Sequence, residues 1–148
     1  MKGNQNIANA IYEFYKATNE AEYEEGFVQV LNALAEQMSE KELVPTPFLD
    51  VVREDGNHML VIDVMNDDKD QVWLPVFTDD QELCKGQTAN VHMEYPLENI
   101  VRAALAREDS VGLVINPFGQ SFMLPKAFVE TFLEDYDRWI NSEEGDEN

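Results

Sequence analysis

Residues 73–83 constrain the fold more than any other stretch, because the sequence there changes abruptly from the pattern of a strand to that of a helix. Residues 73–77 are apolar at every position, which is typical of a strand that is covered on both faces. Pro75 lies inside this run and has no backbone N–H to donate to a neighbouring strand. The sequence therefore predicts a buried strand that either lies at a sheet edge or carries a bulge at Pro75.

The residues that follow this strand have the pattern of a helix start. Thr78 offers a hydroxyl that can accept a hydrogen bond from the next turn, and Gln81 stands where its side chain would complete a capping box. Asp79 and Asp80 then fall in the first turn, where the positive end of the helix dipole favours carboxylates. We therefore expect a short helix with Thr78 as its N-cap and Gly86 as its left-handed C-terminal residue.

A second strand is predicted at residues 111–115, the most continuous apolar run of the chain and the best candidate for a central strand. A turn follows in which Pro117 presets the backbone, Gly119 frees it, and the Asn116 side chain can bond back to the backbone. Phe118 is the exception, because it is a large apolar residue in a turn that usually faces water. An exposed aromatic on a rigid turn is well suited to anchor a partner.

Three pieces of the sequence, taken in order, resemble the SseB amino-terminal domain family, whose name abbreviates enhanced serine sensitivity. They are Leu-Val-Pro at residues 43–45 after a helical start, Leu-Pro-Val-Phe-Thr at residues 74–78 before an acidic helix, and the apolar strand with its Asn-Pro-x-Gly turn at residues 111–119. The resemblance covers most of the chain, from about Ala8 to Trp139. Phe118 need not be part of the family pattern.

The resemblance implies a compact α/β domain of the bacterial cytoplasm. It implies no particular reaction, and it brings no catalytic residues that could be transferred to this sequence. Longer members of the family carry a second, carboxy-terminal domain, and we expect none here because 148 residues leave no room for it.

Charge is the extreme feature of the composition, with 30 acidic residues against 10 basic ones and a net charge of −20. Residues 142–148 hold four of the acidic residues and no basic one, so the rest of the chain still has a net charge of −16. Such a surface should repel nucleic acid phosphates and anionic membranes. It is either an ordinary acidic surface or one that is shaped to meet a basic partner.

The compartment is predicted from what the sequence lacks. No apolar run approaches the roughly 20 residues of a membrane helix, and the first six residues do not resemble a signal peptide. Cys84 is the single cysteine, which excludes an internal disulfide and fits a reducing cytosol. We expect Cys84 to pack as a small apolar residue.

Hydrophobic periodicity predicts the remaining elements. Two helices precede the first strand, one over residues 4–16 and one that starts after an Asn19 cap. A short strand at residues 43–45 should be followed by a hairpin closed at residues 54–57, and a half-exposed strand should span residues 88–95. Further helices are expected after Pro96 and Pro125, where proline suits a first turn.

The expected fold is a single α/β domain over residues 1–141. It consists of a mixed, mostly antiparallel sheet of about five or six strands with helices packed on it, because consecutive strands tend to be neighbours. Residues 142–148 are expected to form an acidic disordered tail without any apolar anchor.

Catalytic and metal-binding patterns are not evident. Asp63, Asp67, Asp68 and Asp70 lack the spacing of a calcium loop, and His92 with Glu94 lacks a third ligand for zinc. The sequence has no GxSxG elbow, glycine-rich phosphate loop or HExxH motif. We therefore expect no metal, no cofactor and, on balance, no enzymatic activity.

The most informative place for function is where the two motif strands end. The predicted binding residues are Phe77, Thr78, Asp79, Asp80, Asn116, Pro117, Phe118 and Gly119. The preferred hypothesis is a non-catalytic binding or regulatory module that acts through protein contacts. A second hypothesis is a small-molecule sensor or enzyme with a pocket at the Phe77–Thr78 strand end, and a third is an immunity-type protein whose acidic face neutralises a basic toxin.

Overall fold

Five helices and seven strands make up the part of the chain that the structure describes. The structure is a computed structural model, and it describes residues 6–86 and 91–146, with side chains as far as residue 142. In chain order the elements are α1 (Ile7–Phe14), α2 (Glu20–Ser39), β1 (Leu43–Val52), β2 (His58–Ile62), β3 (Met65–Asn66), β4 (Val72–Val76), α3 (Asp80–Cys84), β5 (Val91–Pro96), α4 (Leu97–Ala106), β6 (Ser110–Ile115), β7 (Phe122–Pro125) and α5 (Lys126–Asp146). The predicted mixed α/β fold is confirmed.

The strands form two sheets, and in this respect the prediction of one sheet with five or six strands is wrong. The first sheet has the order β2-β1-β5 and is antiparallel. The second has the order β3-β4-β6-β7, in which β4 and β6 are parallel and the other pairs are antiparallel. β3 and β4 lie between β2 and β5 in the sequence but belong to the second sheet, whereas β5 pairs with β1 in the first sheet.

β1 is one strand of ten residues, whereas the sequence predicts a short strand at residues 43–45 and a separate hairpin strand after it. The carbonyl oxygen of Pro47 accepts a hydrogen bond from the N–H of Asp63 (N···O 2.9 Å), so the backbone groups of Pro47 face the β2 side of the strand. Pro45 is two residues earlier and faces the same side. The positions without an N–H therefore point away from β5, and β1 pairs with β5 through the alternate residues.

The surroundings of Pro75 in β4 agree only partly with the sequence prediction. β3 pairs only with Val72 and Trp73, so the described ladder leaves β4 without a neighbour on that side at Pro75, as at a sheet edge. On the other side, Pro75 stands beside Val114 of β6. The register shift lies between Val72 and Trp73 rather than at the proline.

The start of α2 follows its sequence pattern. The side chain of Asn19 accepts a hydrogen bond from the N–H of Glu22 (2.8 Å), as an N-cap does. The Glu22 carboxylate accepts hydrogen bonds from the backbone N–H and the hydroxyl of Thr18, both at 2.9 Å, and these bonds lower the pKa of Glu22. The chain direction between α1 and α2 is thus fixed by side chains that the sequence places there.

The core lies between the second sheet and the helices. The two parallel strands β4 and β6 contribute Leu74, Val76, Leu113 and Ile115, all of which are fully buried. Helices contribute Ile7 and Ile11 from α1, Val30, Leu34 and Met38 from α2, Ile100 and Val101 from α4, and Val129, Phe132 and Leu133 from α5. β6 is therefore central, as its apolar run predicts, and the core holds the carboxyl ends of β4 and β6 side by side.

The two ends of the chain differ from the sequence prediction. α1 is shorter than residues 4–16, and the predicted start at residue 4 lies outside the described residues. The backbone of α5 is helical to Asp146, beyond the predicted start of the tail at residue 142, and the disorder of that tail stays a prediction. The predicted start of β5 at residue 88 also lies outside the described residues. In the described part of the chain, no helix has the length and apolarity needed to cross a bilayer.

Candidate functional site

The two motif strands end at the same edge of the second sheet. β4 and β6 are parallel neighbours, and Val76 stands opposite Ile115 at their last positions. The pairing continues one step further, because the N–H of Asn116 donates to the carbonyl oxygen of Val76 (2.8 Å). The residues that follow the two strands therefore lie together, as the sequence hypothesis requires. Loops at the carboxyl ends of parallel strands are a common place for binding residues.

A side-chain bridge joins the two strand ends. The Asn116 Oδ1 accepts a hydrogen bond from the Thr78 backbone N–H (3.0 Å), and the Asn116 Nδ2 donates to the Thr78 hydroxyl (3.0 Å). Asn116 is buried and has a φ of 51°, a left-handed conformation that asparagine tolerates better than most residues. We call this pair the Asn116–Thr78 bridge.

Thr78 is not the cap of α3, and the prediction that it caps with Gln81 is wrong. Asp79 is the N-cap, and its Oδ1 accepts a hydrogen bond from the N–H of Glu82 (2.9 Å). The Thr78 hydroxyl is held by Asn116 instead. Tertiary contact thus moves the cap one residue along the chain, where a second good capping residue is available.

Phe118 is held on a small apolar platform. Its ring stacks on the buried ring of Phe77, with centroids 5.8 Å apart and planes inclined by 28°. Gly86 supports it, since a Cβ at Gly86 would lie only 2.0 Å from Cε2 of Phe118. Phe118 remains 36% exposed, so one part of the ring is packed and another part faces solvent. The sequence expectation of an aromatic displayed on a turn therefore describes only half of its surroundings.

The glycines at this edge are required by close packing. Gly86 does not adopt the predicted left-handed conformation, and its role is to leave space for Phe118. Gly119 donates its N–H to the carbonyl oxygen of Asn116 (3.1 Å), which closes the turn. A Cβ at Gly119 would lie 2.5 Å from Oε1 of Glu82. The left-handed residue of this turn is Asn116 and not Gly119.

The acidic groups at the edge have different surroundings. Asp80 is exposed in the first turn of α3, and Asp79 is exposed while it caps the helix. Glu82 is largely covered and forms an ion pair with Lys85 (2.7 Å), and its Oε1 is buried without a hydrogen-bond partner. Asp79 and Asp80 therefore supply the outward negative charge at the start of α3.

A small cavity adjoins the two strand ends. It has a volume of about 140 Å³ and is bordered by Ala8, Ile11, Glu82, Lys85, Asn116 and Gln120. Sites for drug-sized ligands have volumes of about 300–1,000 Å³. The cavity is thus much smaller than the pocket that the sensor or enzyme hypothesis would need.

Other residues that the sequence analysis weighed have structural surroundings. Asp67 accepts hydrogen bonds from the Trp73 indole and from the N–H groups of Lys69 and Gln71, each at 2.9 Å, and these bonds lower its pKa. Across residues 6–86 and 91–142, no group of three or more His, Cys, Asp or Glu side chains is placed to hold a metal ion. Cys84 is exposed on α3, so the expectation that it packs as a small apolar residue is wrong.

The geometry defines a mixed α/β domain whose candidate site is a closed turn and a helix start at one sheet edge. The chain belongs to the SseB protein N-terminal domain family, because the model of that family matches residues 8–131. This match confirms the resemblance inferred from the three pieces of the sequence. Comparison with curated proteins gave no match, and comparison with solved structures gave none either.

Proposed function

We propose that this protein is a non-catalytic binding or regulatory module that contacts another protein through the edge formed by the two strand ends. We call this edge the strand-end surface and define it by Asp79, Asp80, Pro117, Phe118 and Gly119. The observation that carries the proposal is the position of Phe118, which is fixed on Phe77 and Gly86 while part of its ring faces solvent. An aromatic that is already ordered loses little conformational entropy when a partner covers it.

The preferred partner is a basic protein. Asp79 and Asp80 are exposed at the start of α3, which follows β4 at this sheet edge, and the whole chain has a net charge of −20. Such a field accelerates association with a basic surface and disfavours nucleic acid. A basic toxin that is neutralised at this surface would be one form of the same proposal. The cytoplasm is the proposed compartment, and the exposed lone thiol of Cys84 agrees with a reducing environment.

A protein contact is favoured over a small-molecule site because of size and shape. The cavity beside the strand ends is about 140 Å³, while Phe118 is packed on Phe77 and is still 36% exposed. An ordered and partly exposed aromatic is a type of residue that often lies at the centre of a protein interface.

Photo-crosslinking tests the proposal while Phe118 stays in place. Asp80, which is exposed on the strand-end surface, is replaced by p-benzoylphenylalanine in cells of the native host, and Tyr12 of α1, which is also exposed, receives the same substitution as a control. We expect a discrete protein adduct from position 80 that is absent from position 12. No protein adduct at position 80, or the same adducts at both positions, would refute the assignment of this surface.

The role of charge is tested with the partner protein that crosslinking identifies, after that partner has been purified without the crosslink. Asp80→Lys should reduce the association rate by about tenfold at low salt, because electrostatic steering acts mainly on that rate. Asp68→Lys makes the same change of charge at another exposed site and serves as the control. Equal effects of the two substitutions would show that only the net charge matters and not the strand-end surface.

A further inference from the structure

An apolar groove runs between α2 and α5, away from the strand-end surface. It has a volume of about 490 Å³, and its apolar walls include Phe27, Val28, Leu31, Phe128, Phe132 and Trp139. None of these residues belongs to the strand-end surface. We call it the α2–α5 groove.

The groove exposes side chains that a folded protein usually covers. Val28 is 50% exposed, Phe128 is 54% exposed and Trp139 is 39% exposed. Single exposed apolar residues are common, but these three lie along one concave strip. The two aromatic rings among them are also held in place. Phe128 packs edge-to-face against Phe27 with centroids 5.9 Å apart, and Trp139 packs against Tyr136 with centroids 6.0 Å apart.

The length of the groove suits a helix. The α5 residues that line it run from Phe128 to Trp139, which corresponds to about 16 Å, or three turns, at 1.5 Å per residue. A short amphipathic helix places residues i, i+4 and i+7 on one face, and helices of this kind dock into apolar grooves between two other helices.

The charge around the groove selects among possible occupants. Among the described residues that line it, Asp135 is the only charged one, and it forms an ion pair with Arg138 (2.9 Å) at the border of the groove, so the attraction of a basic segment rests mainly on the excess of acidic residues along the two helices. α2 has five acidic residues and no basic one, and residues 126–142 of α5 have four acidic residues against two basic ones. A second copy of this chain would bring the same negative charge to the contact, whereas a basic segment would be attracted.

We propose that the α2–α5 groove is a second docking site, which receives a basic amphipathic helix of a partner protein. The helix would place its apolar face against Phe128 and Trp139, with lysine or arginine residues towards Asp135 and the acidic residues of α2. This proposal is independent of the strand-end surface, because the two surfaces share no residue.

The test uses defined peptides as probes. The first is a helical peptide of about 14 residues with leucines at i, i+3, i+4 and i+7 spacing and lysines elsewhere. The second has the same composition in scrambled order, and the third has glutamate in place of lysine. In a Trp73→Phe variant, Trp139 is the single tryptophan and reports directly on the groove, while a Trp139→Phe variant, which keeps Trp73, is the control.

We expect the leucine–lysine peptide to shift the emission of Trp139 to shorter wavelength and to bind at least about tenfold more tightly than the other two peptides. Phe128→Ala should weaken binding by about fivefold or more, and Val28→Thr gives a second groove variant that keeps a similar volume. Met123→Ala removes an exposed apolar side chain outside the groove and should leave binding unchanged.

Three results would overturn the proposal. One is equal binding of the ordered and scrambled peptides, which would indicate only charge attraction. Another is binding that neither Phe128→Ala nor Val28→Thr weakens. The third is a wild-type dimer in sedimentation that Phe128→Ala converts to monomer, because the occupant would then be a second copy. Loss of this proposal would leave the crosslinking result at position 80 unaffected.

Discussion

Replacement of Gly86 by alanine should destabilise the protein, and the whole effect should come from a clash between the new methyl group and the ring of Phe118. An alanine Cβ at this position would lie 2.0 Å from Cε2 and 2.5 Å from Cζ of Phe118, so the ring has to move. Gly86 does not have a positive φ, and alanine can therefore adopt its backbone conformation without strain. The whole cost should come from the displaced ring.

The magnitude follows from how the ring is packed. Full burial of a phenylalanine side chain contributes about 1.5–3 kcal/mol, and Phe118 is 36% exposed, so displacement of its covered part should cost about 1–2 kcal/mol. Loss of the stacked contact with Phe77 adds about 0.5–1 kcal/mol. Alanine also reduces the entropy of the unfolded chain, which offsets about 0.5 kcal/mol. We expect Gly86→Ala to lower the free energy of unfolding by about 1–2.5 kcal/mol.

A double-mutant cycle separates the clash from any other effect of alanine. Urea unfolding, followed by circular dichroism, is measured for the wild type, Gly86→Ala, Phe118→Ala and the double variant. In the Phe118→Ala background no ring meets the new methyl group, so Gly86→Ala should be neutral or stabilising by about 0.5 kcal/mol. The coupling free energy between positions 86 and 118 should then be about 2 kcal/mol.

The reasoning is refuted if the coupling free energy is near zero. A neutral effect of Gly86→Ala in the wild-type background would mean that Phe118 moves without loss of stability. An equal loss in both backgrounds would mean that Gly86 matters for its backbone and not for the space it leaves. Either result would also weaken the proposal that Phe118 is held rigidly for a partner.

Three further predictions concern the same edge and the core. Asp79→Ala should lower the free energy of unfolding by about 1 kcal/mol in urea titrations, because the N–H of Glu82 loses its acceptor, and an unchanged midpoint would contradict the cap. Asn116→Ala should lower the free energy of unfolding by about 2–3 kcal/mol, because Thr78 loses its hydrogen bonds to Asn116. Asn116→Gly should lower it by about 1 kcal/mol less, because glycine accepts the left-handed φ of this position without strain. Equal losses of stability in the two variants would contradict a contribution from backbone strain. Burial raises the pKa of Tyr136 from 10.0 to about 12, so the folded state favours the neutral phenol, and the stability from this group is complete below pH 10 and is lost as the pH rises to 12. Ultraviolet titration of the wild type minus Tyr136→Phe should show one phenol that ionises near pH 12, and a midpoint near pH 10 would contradict this.

Local sequence patterns were sufficient where one interaction dominated. The Asn19 cap was predictable because its acceptor and the N–H of Glu22 are only three residues apart in the sequence. β6 was predictable because a strand that is buried on both faces has to be apolar throughout. The meeting of the two strand ends was a hypothesis only, since apolar runs do not reveal whether two strands are parallel.

The cap of α3 shows why local patterns fail where two choices are similar. Thr78 and Asp79 are both good N-cap residues, and intrinsic preference separates them only slightly. The choice is made by Asn116, 38 positions later in the chain, which engages the N–H and the hydroxyl of Thr78. No pattern within residues 73–83 contains this information. The prediction for the two prolines of β1 was wrong for a related reason. The effect of a proline on a strand depends on which side of the strand is paired at that position, and the local sequence does not show this.

Gly86 and Phe118 connect the stability of the fold with the proposed function. Sequence alone suggests that Phe118 projects freely, in which case its removal would reduce binding and leave stability unchanged. Because the ring packs on Phe77 and Gly86, Phe118→Ala should reduce both, and binding data from that variant alone would be ambiguous. Gly86→Ala resolves this, since it keeps every side chain of the strand-end surface and changes only where the ring is held. If a partner needs Phe118 in its present position, Gly86→Ala should weaken binding, although it alters no contact residue.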